Sequence, residues 1–165
     1  MGYSGHKHQK GEKTLAIADN LGNIIAPMVV KPVNVHDTKL FDKSFRNLLE
    51  TADLFGWNLR GCYMTLDSGF DSEDNKFIIR GAEMIPVIKP NLRGLKDREK
   101  IYRILDEFEG IKDIYTERHK MERCFAWEDV YRKLVIRYER LQCTFMGFRY
   151  LAYSMINFRW FFGKK

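Results

Sequence analysis

At 165 residues the chain has the length of one domain with a real core. Its 45% hydrophobic and 14% aromatic content, with twelve Phe, eight Tyr and three Trp, excludes a disordered tail. The net charge of +6 and a pI near 9.2 lean weakly towards a polyanionic partner. No apolar run approaches the roughly 20 residues that span a bilayer, and residues 2–13 are too polar and basic for a signal peptide. Cys62, Cys124 and Cys143 are too scattered for a zinc site or a disulfide framework, so they read as buried, reduced thiols of a cytoplasmic protein.

In chain order, residues 1–13 are Gly-rich, polar and basic and read as a loop or arm. Two apolar runs, 14–19 and 24–30, flank the Leu-Gly-Asn turn signal, which predicts a β-hairpin over 14–30. Pro27 marks its second strand as an edge or a bulge. Asp37 or Thr38 can cap a helix in which Leu40, Phe41, Phe45, Leu48 and Leu49 recur at helical spacing, ending before Gly56. Residues 61–66 are short and apolar, as a buried central strand would be. Asp67-Ser68-Gly69 is a turn, Ser72 caps a second helix that Gly81 stops, and 83–88 form another strand.

Residues 89–112 form a charged excursion with a short helix around 98–107. The segment 114–162 is helical. In it Met121 and Phe125 share a face that should be buried, and Phe145, Phe148, Leu151, Met155 and Phe158 form a stripe that should cover the core. No repeat or domain boundary stands out. The order β-β-α-β-α-β followed by helices gives an α/β chain.

Two acids stand apart. Asp67 ends an apolar strand before a Gly turn, where open α/β sheets place their ligands; Asp is also a common turn former, and both readings fit. Its neighbour Asp71 looks like a turn or cap residue beside Ser72. Glu122 shares a helix face with Tyr115 and Arg118, and reads either as half of a solvated Arg–Glu pair or as a carboxylate reaching inward beside Met121 and Phe125. His6 and His8 lie in the basic arm, where a phosphate contact or plain solvation suits them better than a metal. His36-Asp37 sits at a helix start, where Asp37 has a capping role.

The strings GYSGHKHQKGEK (2–13), TLAIADNLGNII (14–25), KPVNVHDTKLF (31–41), LDSGFDS (66–72) and ERHKMERCFAWEDVYRKLVIRYERL (117–141), in this order, resemble the insertion-sequence transposases of the DDE class. The resemblance covers nearly the whole chain. It implies a ribonuclease H-like fold, a mixed sheet with flanking helices, and a reaction in which DNA is hydrolysed and then joined by strand transfer. It also implies three acids around two divalent ions, magnesium or manganese. Asp67 matches the second acid and Glu122 the third, as both catalytic residues and metal ligands. Tyr115, Arg118 and Glu122 match a Tyr-x-x-Arg-x-x-x-Glu signature, with Arg118 on a DNA phosphate. Some relatives carry a Lys seven residues beyond the Glu; here that position is Asp129.

In relatives the first acid lies on a strand upstream of the Gly-x-Ser-Gly-His-Lys segment. Asp19 matches a later turn Asp and is not assigned to that role. The expectation is therefore an N-terminally truncated transposase catalytic domain lacking the first central strand. Such a chain would bind magnesium poorly and not cleave DNA alone. Its partners would be transposon-end and target DNA, and either further copies in a homo-oligomer or an upstream fragment, with no membrane. Alternatives are a DNA-binding remnant without catalysis and a nuclease of the same fold. In the DNA-binding remnant, Lys7, Lys10, Lys13, Arg118, Lys120 and Arg123 would neutralise phosphates, with salt-dependent affinity.

Overall fold

A computed structural model describes residues 2–4, 9–136 and 138–163. The chain is a mixed α/β protein whose residues gather into two compact units. The first comprises residues 1–17 and 26–118, the second residues 18–25 and 119–165. Among the described residues no helix is long and apolar enough to cross a membrane.

In the first unit, β1 (Gly2–Ser4), β2 (Gln9–Leu15) and β3 (Val29–Pro32) form an antiparallel sheet in that order. The expected arm over 1–13 is thus a correction. Most of its described residues are strand, with Gly2 opposite Gly11 and Glu12 opposite Pro32. Polar, Gly-containing sequence hides such a strand, because cross-strand partners rather than local propensity stabilise it. Of the hairpin expected over 14–30, only Thr14 and Leu15 pair with Val30 and Val29 in the β2–β3 ladder, which runs the other way to Glu12 and Pro32, and Ala18 makes a single bridge to Ile24. Residues between the Ala18–Ile24 bridge and Val29 leave the ladder, and Pro27 lies among them.

Helix α1 (Asp37–Phe55) is the centre of the core. Leu40, Phe41, Phe45 and Leu48 are almost fully buried, and the Phe41 and Phe45 rings stack at 5.3 Å. Each such side chain contributes about 1.5–3 kcal/mol through burial. The cap is His36, whose ring accepts from the Thr38 amide; Asp37 lies in the first turn instead. Gly56 ends the helix in the left-handed conformation (φ 66°), which costs glycine nothing.

Next, β4 (Tyr63–Leu66), α2 (Glu73–Gly81) and β5 (Ile85–Ile88) form a βαβ unit with parallel strands in register Tyr63–Ile85 to Leu66–Ile88. Ser72 caps α2 through the Asn75 amide, as the sequence indicates. Gly81 is the last residue of α2, and the left-handed turn beyond it falls on Glu83 (φ 57°). β4 was expected as a buried central strand. It pairs only with β5 among the described residues, and Tyr63 is exposed while Met64 is buried. Helix α3 (Arg98–Glu109), capped by Asp97, occupies the charged excursion, and α4 (Lys112–Thr116) packs on β4 and β5.

The second unit is a turn and three helices. These are α5 (His119–Glu128), α6 (Arg132–Val135) and α7 (Gln142–Phe162). In the turn, Asp19 accepts from the Leu21 and Asn23 amides through Oδ1 and from the Asn23 side chain through Oδ2. The turn is tied to α5 by Arg123 Nη2 donating to the Leu21 carbonyl at 3.0 Å, and to α7 by Asn157 donating to the Ile24 carbonyl at 3.0 Å.

The buried face of α7 differs from the expected stripe. Phe148, Leu151, Met155 and Phe158 are exposed, and Arg149, Ala152, Tyr153 and Ile156 are buried. On α5 the buried pair is Cys124 and Glu128, while Phe125 is exposed. Charged Glu128 and Arg149 can be buried because each neutralises the other. An apolar-periodicity pattern cannot register such a pair.

Candidate active site

Asp67 follows the last residue of β4 and caps a short 3-10 turn, Ser68–Phe70. Its Oδ1 accepts from the Ser68 amide at 2.7 Å. Its Oδ2 lies 3.7 Å from Arg118 Nη2, and the carboxylate is half exposed at 51%. A carboxylate has about four lone-pair sites, so a single local hydrogen bond leaves room for a ligand. The turn is close-packed. Phe70 lies edge-on to Phe41, and a Cβ on Gly69 would stand 3.2 Å from Asp37 Oδ2. Gly69 thus lets the Asp67 turn approach the start of α1.

Asp71 has the opposite character. One oxygen is 2.8 Å from Lys76 Nζ, the other accepts from the Asn91 amide at 2.8 Å, and the side chain is mostly buried. Burial by itself would lower the Lys76 pKa, but Asp71 and Glu73 outweigh it and hold it above the ordinary value. Asp71 ties α2 to the chain after β5.

Arg118 does not lie on a continuous helix with Glu122. Helix α4 stops at Thr116, Glu117 and Arg118 form a turn, and α5 begins at His119. The turn is closed by Glu117 N to Ile114 O and Arg118 N to Tyr115 O, both at 3.2 Å. Tyr115 and Arg118 still meet. Arg118 Nη1 donates to the Tyr115 hydroxyl at 3.2 Å, and its guanidinium lies 5.5 Å from the ring centre. The Tyr115 ring therefore holds Arg118 beside Asp67.

Glu122 is exposed on α5, on the side away from Cys124 and Glu128. The inward-reaching carboxylate is thus a correction, since it is the Cys124–Glu128 face that turns to the core. Asp67 belongs to the first unit and Glu122 to the second. Among the described residues no three or more acids, His or Cys cluster as a metal-binding group. Asp67 and Glu122 both offer the hard oxygen donors that suit magnesium.

Of the expected phosphate contacts, Lys7, like His6 and His8, lies outside the described residues, and Lys10 falls in β2. Lys13 spends its ammonium on the Val35 carbonyl at 3.0 Å and Asp37 Oδ1 at 2.7 Å. Arg123 stacks on Trp127 at 5.2 Å while reaching the Leu21 carbonyl.

The family model for the transposase DDE domain matches residues 1–155. The chain belongs to the transposase DDE domain family. That membership ties it to DNA and to the cleavage and transfer of DNA in transposition. Neither the curated proteins nor the solved structures hold a match to it.

The sequence reading missed a cluster in the second unit. Arg149 Nη2 donates to Glu128 Oε2 at 2.8 Å, Arg149 Nε stands 2.7 Å from Oε1, and the Tyr153 hydroxyl donates to the same carboxylate. Burial, and then the bond to Glu128, pushes the Tyr153 pKa well up. Only the spacing of Arg149 and Tyr153, one turn apart among apolar residues, hinted at it.

Proposed function

We propose that this DDE domain serves metal-dependent cleavage and strand transfer of DNA on a ribonuclease H-like scaffold, with Asp67 and Glu122 as two of its metal-binding carboxylates. The observation that carries the reading is the half-exposed Asp67 carboxylate at the end of β4, anchored through Oδ1 by the Ser68 amide, with the Arg118 guanidinium 3.7 Å from Oδ2. Magnesium or manganese, when bound, neutralises charge on the attacking and leaving oxygens of an in-line displacement. The ligands in this chain would be Asp67 and Glu122. That both serve one metal pair rests on the resemblance to the DDE-class transposases.

The protein's own groups then have distinct tasks. The Ser68 amide orients Asp67. Arg118, steadied by Tyr115, has the planar fork that binds a phosphate beside the reacting one. Arg123 adds a further positive charge for phosphate. Lys13 is left out, because it is engaged with Asp37.

Manganese-induced broadening of backbone amide resonances tests this on the intact chain with a DNA duplex added. The reading expects selective broadening at Ser68 and Gly69 and around Glu122, abolished at the first position by Asp67→Asn. DNA affinity with no response at Ser68 and Gly69 would favour a DNA-binding domain without catalysis.

A further inference from the structure

We propose that the buried Glu128–Arg149–Tyr153 cluster is a positioning device for Glu122: it fixes the rotation of α5 on α7 and so the direction in which Glu122 leaves the helix. The inference rests on the reading of Glu122 as a metal ligand.

Cys124 and Glu128 are one turn apart and form the face of α5 that packs inward. At about 100° per residue, Glu122 lies roughly 200° round from Cys124. Whatever sets the Cys124–Glu128 face on α7 therefore sets Glu122 on the opposite side. Hydrophobic contact alone does this poorly, because it is non-directional and tolerates small rotations. Here α7 brings a hydrogen bond from Arg149 Nη2, an ion-pair contact from its Nε and the Tyr153 hydroxyl to a single carboxylate. Charge-assisted bonds of this kind are directional, and moving either helix breaks them. A buried ion pair is a weak source of stability but can specify register.

Two further contacts act along the N-terminal half of α5. Arg123, adjacent to Glu122, donates to the Leu21 carbonyl, and Gly22 lies close to the Lys120 carbonyl. The buried cluster fixes one end of the helix and the Asp19–Asn23 turn fixes its N-terminal half.

The test places nitroxide labels on Glu122→Cys and Ser154→Cys, with Cys62 and Cys143 replaced by Ser, and measures their distance distribution by pulsed electron resonance. Cys124 is fully buried and stays unlabelled. With the cluster intact the expected distribution is single and narrow. The combined variant Glu128→Leu, Arg149→Met, Tyr153→Phe should retain its helical signal and lose the narrow population. Arg149→Lys keeps the charge but lacks the fork, and should lose part of that population even if the combined variant does not fold. A narrow, unshifted distribution in Arg149→Lys, or in a folded combined variant, overturns the proposal. A chain that failed to bind metal or DNA would undo the functional reading and leave these distributions unchanged.

Discussion

Arg118 Nη2 stands 3.7 Å from Asp67 Oδ2, across the end of β4, with both side chains partly open to solvent. At that distance and exposure the pair adds little stability, on the order of 0–1 kcal/mol. Its interest is chemical, because a guanidinium faces the acid proposed here as a metal ligand. Arg118→Ala should therefore weaken DNA binding and lower the slope of log affinity against log salt by about 1. Manganese binding near Ser68 should be unchanged or tighter, since a competing cation is gone. Fluorescence anisotropy over a salt series checks the first part, and an unchanged slope would remove Arg118 from the DNA surface.

Asp67 and Asp71 should separate cleanly. Asp71→Asn breaks the contact with Lys76 and weakens the one with the Asn91 amide, both partly buried, at a cost of roughly 1–3 kcal/mol. Asp67→Asn keeps an oxygen for the Ser68 amide and should be nearly neutral for stability while abolishing the manganese response. Urea denaturation compares the two. A larger loss of stability from Asp67→Asn would mean that Asp67 is the structural acid.

Gly22 has φ 87°, and a Cβ there would stand 3.3 Å from the Lys120 carbonyl. Gly22→Ala should cost about 1–2 kcal/mol from the left-handed backbone alone. The extra atom also presses on the first turn of α5. Hydrogen exchange should therefore accelerate in the Asp19–Asn23 turn and α5, with α1 unaffected. Protection of α5 equal to the native protein's would contradict this.

Cys124 gives a pH prediction. Burial first, then the Glu128 charge, raises its thiol from 9.0 to about 11. Between those values the unfolded chain has released the proton and the folded chain still holds it. Stability is thus fully present below pH 9 and falls as pH rises through about 11. Tyr153, also raised, acts in the same direction at higher pH. Denaturation midpoints across this window should decline, and less steeply in Cys124→Ala. Iodoacetamide should modify exposed Cys62 and Cys143 and spare Cys124 under native conditions.

Where the chain carries its structure locally, the sequence was readable. Helix α1 combines an apolar stripe with a Gly stop, α2 has Ser72 as cap, and the Asp67 turn follows an apolar run before a glycine. What escaped depends on distant partners. The β1–β2 pairing lies in polar residues that only register stabilises. The inward face of α7 carries Arg149 because Glu128, 21 residues earlier, neutralises it. The break before α5 falls in a stretch whose residues all suit a helix. Asp67 was singled out by its place at a strand end, and Glu122 came to notice chiefly through family resemblance.

The most direct test of the central claim is the manganese titration of the isotope-labelled chain with DNA. Metal ligation by Asp67 and Glu122 predicts early, selective broadening at Ser68 and Gly69 together with the amides flanking Glu122, and its loss at both places in Asp67→Asn combined with Glu122→Gln. Broadening centred on Asp71 and Glu73, or spread evenly along the chain, would contradict it.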